Sequence, residues 1–333
     1  MQNQMMSPVE AGLLIQSGKT LMIAGDEPVL RSLPNGKWIG GTSVYFMTED
    51  GGREDRENVF VTVIDEATNS ACRYVPTSEL ASITEGQFEN GATFVIIPAA
   101  SNALSTYGIN AAGYTNLFVQ PVMGWIAGIH LDEIGTAMPK IVDGSTGTVY
   151  DDGAIVLYTE MPNDVVADVD IVNLFEQDET ADTLVFEQGG FDIDQVVVNG
   201  ETKNFAAYIA EKGINIQLPL VANYAGAMIN ASFQAVDEEA QTVKMYAAIA
   251  PGTEYKIAKD FGDYGTAFNA AITEGGEGAL CCNCILNYVY GSLEGKSTGS
   301  FTGPITFGEI AYVLLNQTLV RTSTVGAEAA AVA

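Results

Sequence analysis

The chain has 333 residues, of which 47% are hydrophobic and 17% charged, so most of its length is expected to fold around a sizeable core. Acidic residues outnumber basic residues 42 to 14, giving a formal net charge of −28. This balance excludes the basic stripe that nucleic-acid binding requires and disfavours binding to anionic lipid surfaces. Such acidity is also what a salt-rich habitat favours, because surface acids keep a protein soluble there.

Residues 1–113 carry alternating helix and strand signals. Ser7-Pro8-Val9-Glu10 is a capping box with proline at the first helical position, which predicts a helix over residues 8–17. Strands are predicted in TLMIAG, in KWIGGTSVYFMT (37–48), in NVFVTVID (58–65) and in ATFVIIPA, and helices in DEPVLRSL, PTSELASI and SNALSTYGINAAG. A polar loop with Gly51-Gly52 separates the strands at 37–48 and 58–65, so these two are expected to pair as a hairpin.

After Lys140 apolar and polar residues alternate, which predicts antiparallel sheet with one solvent-facing side. From Ile141 to Thr202 there are fifteen acids and no lysine or arginine. Helices are predicted in ETKNFAAYIAEKG, ending at Gly213, and in DYGTAFNAAITEG, with strands between and after them. Regular β-α-β alternation is missing. The prediction is therefore an α+β fold in which two mostly antiparallel sheets pack together with helices on the outside.

The two ends of the chain and its cysteine usage bear on location. The start, MQNQMMSPVEAG, has neither the basic nor the apolar region of a signal peptide, and the longest apolar stretch, residues 116–131, is too short to span a membrane. Three of the four cysteines are crowded together, unlike the spaced framework of a secreted scaffold. A cytoplasmic protein without membrane contact is expected. Residues 326–333 are expected to form a flexible tail.

The segment GALCCNCILNYVYG holds three cysteines in four positions. Interpreted as a strand, it places Cys282 and Cys284 on one face and Cys281 on the other. A structural zinc site needs a second ligand pair, whereas the remaining candidates, Cys72 and His130, are single residues. A thiol nucleophile would need a base, and His130 is the sole histidine. The pattern favours cysteines packed in a buried strand, and neither a metal nor another cofactor is predicted.

Two further features single out candidate site residues. His130 could be a ligand, a general base or a hydrogen-bonded loop residue. Glu309 follows Gly308 within an otherwise apolar strand, where a carboxylate needs a partner or a polar cavity. Glycines within a strand, as at Gly40 and Gly41, mark a bulge or a close approach of another backbone or a ligand.

The second half resembles the C-terminal part of the FIST family of bacterial sensory modules. The resemblance is carried by VVVNGETKNFAAYIAEKGI, by EYKIAKDFGDYGTAFNAAI, and by the cysteine strand followed by GSFTGPITFGEI. KWIGGTSVYF and GWIAGIHLDEIG resemble the N-terminal part. The resemblance implies two FIST-like domains, 1–195 and 196–325, that bind a small, amino-acid-like ligand and report to a signalling partner. Asn287 stands where the family has an arginine. The implied ligand-binding residues are Cys284, Asn287, Gly308, Glu309, Trp38, Gly40, Gly41, Thr42 and His130.

Three functional hypotheses follow from these observations. The first is a non-catalytic, small-molecule-binding sensory protein whose pocket lies near Cys284, Glu309 and the strand from Trp38 to Thr42. The second is an enzyme that uses a cysteine thiolate or a bound metal or haem. The third is a structural module whose fold binds a protein partner. The sequence does not specify the oligomeric state.

Overall fold

The computed structural model describes residues 1–224, 227–272 and 279–326, and these residues form five β-sheets with helices packed on their outer faces. The fold is mixed α/β, with 44% of residues in strands and 18% in helices, which is consistent with the α+β prediction. Five sheets replace the two that were expected. The predicted tail lies outside the described residues from position 327 on, as do the end of the helix predicted at DYGTAFNAAITEG and the first glycine of the cysteine segment.

The chain runs through three successive segments. The first comprises β1 (Gln2–Met6), α1 (Pro8–Gln16), β2 (Leu21–Gly25), α2 (Glu27–Ser32), β3 (Trp38–Thr42), β4 (Tyr45–Thr48), β5 (Gly51–Glu54) and β6 (Val59–Val63). The second comprises β7 (Asn69–Val75), a 3-10 helix (Thr77–Ser82), β8 (Gly91–Pro98), α3 (Asn102–Asn110), a 3-10 turn (Ala111–Gly113), β9 (Val122–Ala127), a 3-10 turn (Leu131–Glu133), β10 (Ile141–Asp143), β11 (Thr148–Tyr150) and β12 (Ala154–Glu160).

The third segment is longer because a separate unit is inserted in it. It begins with β13 (Val165–Asn173). The inserted unit, residues 184–257, comprises β14 (Leu184–Val185), β15 (Gly190–Ile193), β16 (Gln195–Val198), β17 (Glu201–Asn204), α4 (Phe205–Lys212), β18 (Leu220–Tyr224), β19 (Ala227–Ala231), β20 (Phe233–Asp237), β21 (Thr242–Ile249) and β22 (Glu254–Ile257). The segment ends with α5 (Tyr264–Ala271), β23 (Leu280–Cys284), α6 (Ile285–Tyr290), β24 (Gly303–Thr306), β25 (Glu309–Ala311), β26 (Val313–Leu315) and β27 (Thr318–Gly326).

Three six-stranded sheets repeat one strand arrangement. Sheet 1 has the order β1-β6-β2-β3-β10-β11, sheet 2 the order β7-β12-β8-β9-β25-β26, and sheet 3 the order β13-β27-β23-β24-β4-β5. In each, the two central strands are parallel and are joined through a helix, while every other pairing is antiparallel. The three segments are therefore three copies of one structural unit, with the inserted unit placed between the first and second strands of the third copy.

The three copies exchange their hairpins in a cycle. The β4–β5 hairpin of the first copy completes sheet 3, the β10–β11 hairpin of the second completes sheet 1, and the β25–β26 hairpin of the third completes sheet 2. Each sheet thus contains strands from two copies. The division of the chain at residue 195 stays a prediction, and strands β4 and β24 pair across it.

A common core lies between the inner faces of these three sheets. Its buried side chains include Met22 and Phe60 from sheet 1, Trp125 and Leu157 from sheet 2, and Cys282 from sheet 3. Helices α1 and α2 cover the outer face of sheet 1, α3 that of sheet 2, and α5 with α6 that of sheet 3, each over its own apolar cluster. The inner strands, such as β2, β8 and β23, are buried on both faces, as in layered α/β folds.

Local sequence signals explain several element boundaries. Ser7 accepts a hydrogen bond from the backbone of Glu10, and the Glu10 side chain accepts one from the backbone of Ser7, so the predicted capping box is confirmed. Helix α4 ends at Gly213, which adopts the left-handed conformation with φ of 62° that favours glycine. Residues 201–204 precede α4 as strand β17, so this helix is shorter than predicted.

The hairpin predicted between residues 37–48 and 58–65 is wrong. The chain bends at Ser43, whose hydroxyl group donates to the carbonyl oxygen of Ile305, and this divides the first segment into β3 in sheet 1 and β4 in sheet 3. Strand β6 pairs with β1 and β2, and β4 pairs with β5. The partners were misassigned because β4 crosses to sheet 3, where Met47 pairs with Gly303, 256 positions later in the chain.

A glycine occupies the same place in the fourth strand of each sheet. Gly40 lies beside Ile23, Gly124 beside Val95, and Gly303 beside Cys281, in each case against the carbonyl oxygen of the parallel neighbour. A Cβ atom at Gly40 would lie 2.8 Å from the oxygen of Ile23, and one at Gly124 or Gly303 would overlap the neighbouring oxygen. The close backbone approach expected at the glycine-bearing strand is thus an approach to another strand.

Candidate functional site

A cavity of about 520 Å³ lies between the second copy, the third copy and the inserted unit. This volume falls within the range of roughly 300–1,000 Å³ that is usual for small-molecule sites. The apolar part of its wall includes Leu104 of α3, Ile129 and Met138 of the β9–β10 connection, Met245 of β21, and Phe307. Ser101, Gln234, Asn316 and Cys284 add polar groups. A smaller cavity, of about 240 Å³, lies within the inserted unit beside Glu187.

The mouth of the larger cavity carries one charge of each sign. Lys244 and Asp192 both line it, with 3.8 Å between Nζ and Oδ1. Their side chains are 59% and 68% exposed, so the ion pair contributes little to stability. Because the two charges oppose each other, the mouth selects neither anions nor cations by net charge.

Cys284 is the cysteine that lines this cavity. It is the last residue of β23 and directly precedes α6, so the predicted cysteine strand ends here and ILNYVY forms a helix. All four cysteines are free thiols. Cys282 packs into the common core, whereas Cys281 and Cys284 both join the cluster under α5 and α6, so the predicted placement of Cys282 and Cys284 on one face is not found.

Glu309 lies beside Cys284 and is completely buried. The Thr306 hydroxyl donates to its Oε1 over 3.0 Å, and the Thr318 hydroxyl donates to its Oε2 over 2.8 Å. Burial raises the pKa of the Glu309 carboxyl to about 8, although these hydrogen bonds act in the opposite direction. Burial and the neighbouring Glu309 also raise the pKa of the Cys284 thiol well above its ordinary value. The side chains form a buried thiol–carboxyl pair.

The turn Asn316-Gln317, between β26 and β27, forms the next part of the wall. Asn316 Oδ1 accepts a hydrogen bond from the backbone N–H of Ser232 over 3.0 Å, and the Ser232 hydroxyl oxygen lies 2.6 Å from the same atom. This fixes the orientation of the amide, because the opposite orientation would place two donors together. Asn316 Nδ2 then has no hydrogen-bond partner among the described residues, although the side chain is 2% exposed. Asn316 is not among the site residues predicted from the sequence.

The inserted unit holds this turn in a strained conformation. Gln317 has a positive φ of 52°, which costs energy for a residue other than glycine. Ser232 contacts the Gln317 side chain through a hydrogen bond, and Asn230 donates to the carbonyl oxygen of Asn316 over 3.2 Å. The backbone N–H groups of Gln317 and Leu286 lie beside the Cys284 sulfur and lower its pKa, against the effect of burial.

His130 takes part in a separate arrangement. Its Nδ1 accepts a hydrogen bond from the backbone N–H of Asp132 over 3.2 Å, so Nε2 carries the hydrogen and donates to Glu54 over 3.1 Å. The ring also stacks on Tyr45, with 5.5 Å between centroids. The neighbouring residues Ile129 and Leu131 line the cavity, and His130 is not among its lining residues.

The remaining predicted site residues lie in packed surroundings. Trp38 is buried under α1 and α2 and donates from its indole nitrogen to Pro34. Gly41 faces Ile96 and Trp125 across the core, and the Thr42 hydroxyl accepts from the backbone of Lys140. Packing against neighbouring parts of the fold therefore accounts for the small and buried residues of β3, and no ligand is needed to explain them.

Asn287 and Gly308 lie closer to the thiol–carboxyl pair. Asn287 is fully buried on α6 and donates to Asn283 and to the carbonyl oxygen of Thr318, the residue whose hydroxyl holds Glu309. The carbonyl oxygen of Gly308 accepts from the backbone of Ile126, which fixes the start of β25. Of the nine predicted ligand-binding residues, the structure thus brings Cys284 to the cavity wall and Glu309, Asn287 and Gly308 near it.

A metal site places requirements on side chains and a membrane span on helices, and both apply here to the described part of the chain, residues 1–224, 227–272 and 279–326. No group of three or more histidine, cysteine, aspartate or glutamate side chains there is placed to hold a metal ion. None of the helices in residues 1–224, 227–272 and 279–326 is long and apolar enough to cross a membrane.

The fold and the site together define a mixed α/β protein of three hairpin-exchanged copies with a cavity under an inserted unit. The chain belongs to a family of unknown function, DUF6976, whose profile matches residues 6–324. A search of the curated proteins finds no match.

The family match corrects the resemblance to FIST proteins, which is wrong. The resemblance rested on short stretches rich in glycine and small residues, above all the cysteine strand and the Gly-Glu-Ile sequence at Gly308. In this fold such residues have a local cause. Gly303 and Gly40 allow the backbone of the neighbouring strand to approach closely. Gly308, directly before β25, adopts a φ of 149°.

Proposed function

We propose that this protein binds a small molecule in the cavity between the second copy, the third copy and the inserted unit. The observation that carries the proposal is the cavity itself, a space of about 520 Å³ with a mostly apolar wall and a few polar side chains, among them Ser101, Gln234 and Asn316.

The walls indicate the chemistry of the ligand. Aliphatic and aromatic side chains form most of the enclosed surface, and Lys244 and Asp192 stand at the mouth. A ligand with an apolar body and a polar group near that charged pair fits this distribution. An amino-acid-like ligand remains within this class, since the mouth offers one charge of each sign.

Blocking the cavity tests the proposal. Ser105 is an exposed residue of α3 that lines the cavity, so Ser105→Trp places a large ring in the space at little cost to the fold. Differential scanning fluorimetry with hexanamide, phenylacetamide, phenylacetate and phenylalanine at millimolar concentration should show a rise in Tm for the native chain with at least one compound. Ser105→Trp should abolish that rise.

The matched control is Asn110→Trp, an exposed position on the same helix that does not line the cavity. It should keep the ligand-dependent rise. Equal responses of both variants would place binding elsewhere, and no response to any of the four compounds would argue against this ligand class.

A further inference from the structure

The wall of the larger cavity has two chemically different sides. The side formed by the second and third copies is mainly apolar, with Leu104, Ile129 and Phe307 among its residues. Among the described residues of the wall, the charged side chains are Asp192 and Lys244, and both belong to the inserted unit. The inserted unit therefore carries the charges that a ligand would meet, while the two copies supply its apolar surroundings.

Hydroxyl groups on the apolar side hold their own backbone. The Ser101 hydroxyl donates to the carbonyl oxygen of Pro98 over 2.7 Å and accepts from the backbone N–H of Leu104 over 3.0 Å, at the start of α3. The Thr136 hydroxyl donates to the carbonyl oxygen of Glu133 over 2.9 Å. These groups stabilise a helix end and a turn, so the charged groups that can recognise a ligand lie across the cavity from them.

The inserted unit presents its charges on one face of a three-stranded sheet. Strands β15, β21 and β20 form this sheet, and Asp192 of β15 lies directly opposite Lys244 of β21. Val243, which precedes Lys244, is buried in the core of the inserted unit. Because successive side chains of a strand point to opposite faces, Lys244 and Tyr246 share the face turned away from that core, and both line the cavity.

Two irregularities in the strand pairing shape this sheet next to the cavity. The register shifts at Phe191 in β15 and at Gln234 in β20, and both residues line the cavity. Bulges of this kind re-aim side chains beside functional sites. A Cβ atom at Gly108 of α3 would lie 2.9 Å from the Phe191 ring, so Phe191 packs the sheet against the second copy. Gln234 is exposed and directly precedes the residue that pairs with Lys244.

The charged pair is accessible to a ligand. Both side chains are more than half exposed, and the 3.8 Å between Lys244 Nζ and Asp192 Oδ1 is longer than a hydrogen bond, so each group keeps capacity for another partner. Tyr246 adds a hydroxyl donor on the same face. Burial raises the pKa of this hydroxyl above the ordinary value of 10.0, so it stays protonated at neutral pH.

We propose that the inserted unit selects a small zwitterion that carries an apolar group, with the ligand ammonium on Asp192 and the ligand carboxylate on Lys244 and the Tyr246 hydroxyl. The apolar group lies against the second and third copies. This inference rests on the proposed binding function and narrows it to one ligand class, to which the apolar α-amino acids belong. It also assigns the selection of the ligand to the inserted unit.

Two opposed charges on the protein distinguish a zwitterion from its singly charged analogues. A zwitterion places a charge of opposite sign against each protein group. An anion can pair with Lys244 but brings its charge close to the Asp192 carboxylate, and a cation meets the reverse problem at Lys244. An uncharged ligand displaces water from both groups and offers no charge in return. The wall therefore selects by the arrangement of the ligand charges and not by their sum.

Isothermal titration calorimetry with the complete chain at pH 7 tests this inference. The probes are L-phenylalanine, 3-phenylpropanoate, which lacks the ammonium group, and 2-phenylethylamine, which lacks the carboxylate. The native protein should bind phenylalanine at least about fivefold more tightly than either analogue, since only phenylalanine satisfies both protein charges.

Removal of one protein charge should reverse the preference. Asp192→Asn should weaken phenylalanine binding at least about fivefold and strengthen 3-phenylpropanoate binding, because the like charge is gone. Lys244→Gln should weaken phenylalanine binding and strengthen that of 2-phenylethylamine. Tyr246→Phe should weaken both carboxylates about tenfold and leave 2-phenylethylamine within about twofold. The control, Glu179→Gln, breaks an ion pair with Lys256 outside the cavity wall and should leave all three affinities within about twofold.

The outcomes separate this inference from the binding proposal. Phenylacetamide binding that Ser105→Trp abolishes, with phenylalanine bound no more tightly than its analogues, overturns zwitterion selection and leaves binding in place. Equal losses for all three probes in Asp192→Asn or Lys244→Gln overturn it as well, because a merely structural role acts in that way. Absence of binding by phenylalanine, its analogues and phenylacetamide removes both proposals. Because Asp192 and Lys244 are exposed, both variants should keep the native Tm, which thermal unfolding checks.

Discussion

The free energy of unfolding should fall by about 2–3 kcal/mol between pH 6 and pH 8.5, and Glu309→Gln should remove most of this fall. The folded protein holds the Glu309 carboxyl with a pKa near 8, whereas the ordinary value is 4.5. A raised pKa means that the folded state binds the proton more tightly than the unfolded chain. The resulting stability is complete below the unfolded pKa and is lost as the pH rises through the folded one. Glutamine keeps the shape and never ionises.

Urea unfolding curves at pH 6, 7, 8 and 8.5 measure this effect. The ionisable groups that act on Glu309 are the thiols of Cys282 and Cys284, whose raised pKa values keep them neutral over this range. Glu239→Gln, an exposed control in the β20–β21 turn, should retain the slope of the native chain. Parallel slopes for native protein and Glu309→Gln would show that Glu309 is not protonated in the folded state.

Gly124→Ala and Gly303→Ala should each destabilise the fold by about 3 kcal/mol or more, a large fraction of the stability of a typical domain. In both cases the new Cβ would overlap the backbone of the parallel neighbour, at Val95 or at Cys281. A backbone carbonyl within a paired strand cannot move aside as a flexible side chain can. To make room for the new Cβ, the two central strands of sheet 2 or of sheet 3 have to separate, and these strands cover the common core.

Gly113→Ala supplies the matched control. Gly113 is exposed in a 3-10 turn, and a Cβ there would meet no atom within 4 Å, so its effect should stay within about 0.5 kcal/mol. Urea midpoints, together with the soluble yield, compare the three variants. Near-native midpoints for Gly124→Ala would mean that β8 and β9 are not packed as closely as described.

The sequence predicts local structure well wherever a side chain acts on its own backbone. The Ser7 capping box, the Gly213 helix end and most strands have their cause within a few residues. Strand partners cannot be found in this way, because they lie far apart in the sequence. Strand β4 pairs with β24 and β9 pairs with β25, and the paired residues are separated by nearly 200 positions or by more. The repeated unit also escapes a search for periodic sequence, since the inserted unit lengthens the third copy.

The candidate site residues also divide into those that the sequence reveals and those that depend on distant contacts. Glu309 was recognisable because a carboxylate in an apolar strand needs partners, and the structure supplies Thr306 and Thr318. Cys284 was recognisable by its neighbours in the cysteine segment. Asn316 was not, because its significance depends on Ser232, a residue of the inserted unit that fixes the amide from 84 positions away. An asparagine in a turn has many ordinary reasons to be there.

The cyclic exchange of hairpins has a consequence for synthesis on the ribosome. Sheet 1 is complete only when β11 has emerged, at residue 150, and sheet 2 only when β26 has emerged, at residue 315. Sheet 3 joins β4 and β5, made among the first 54 residues, to β27, the last strand of the described chain. The β4–β5 hairpin therefore waits with an unpaired edge for most of translation, a period in which unpaired strands invite aggregation. The short length of β4 and β5 and the charged Arg53 and Glu54 at the end of β5 limit that risk while the nascent chain grows.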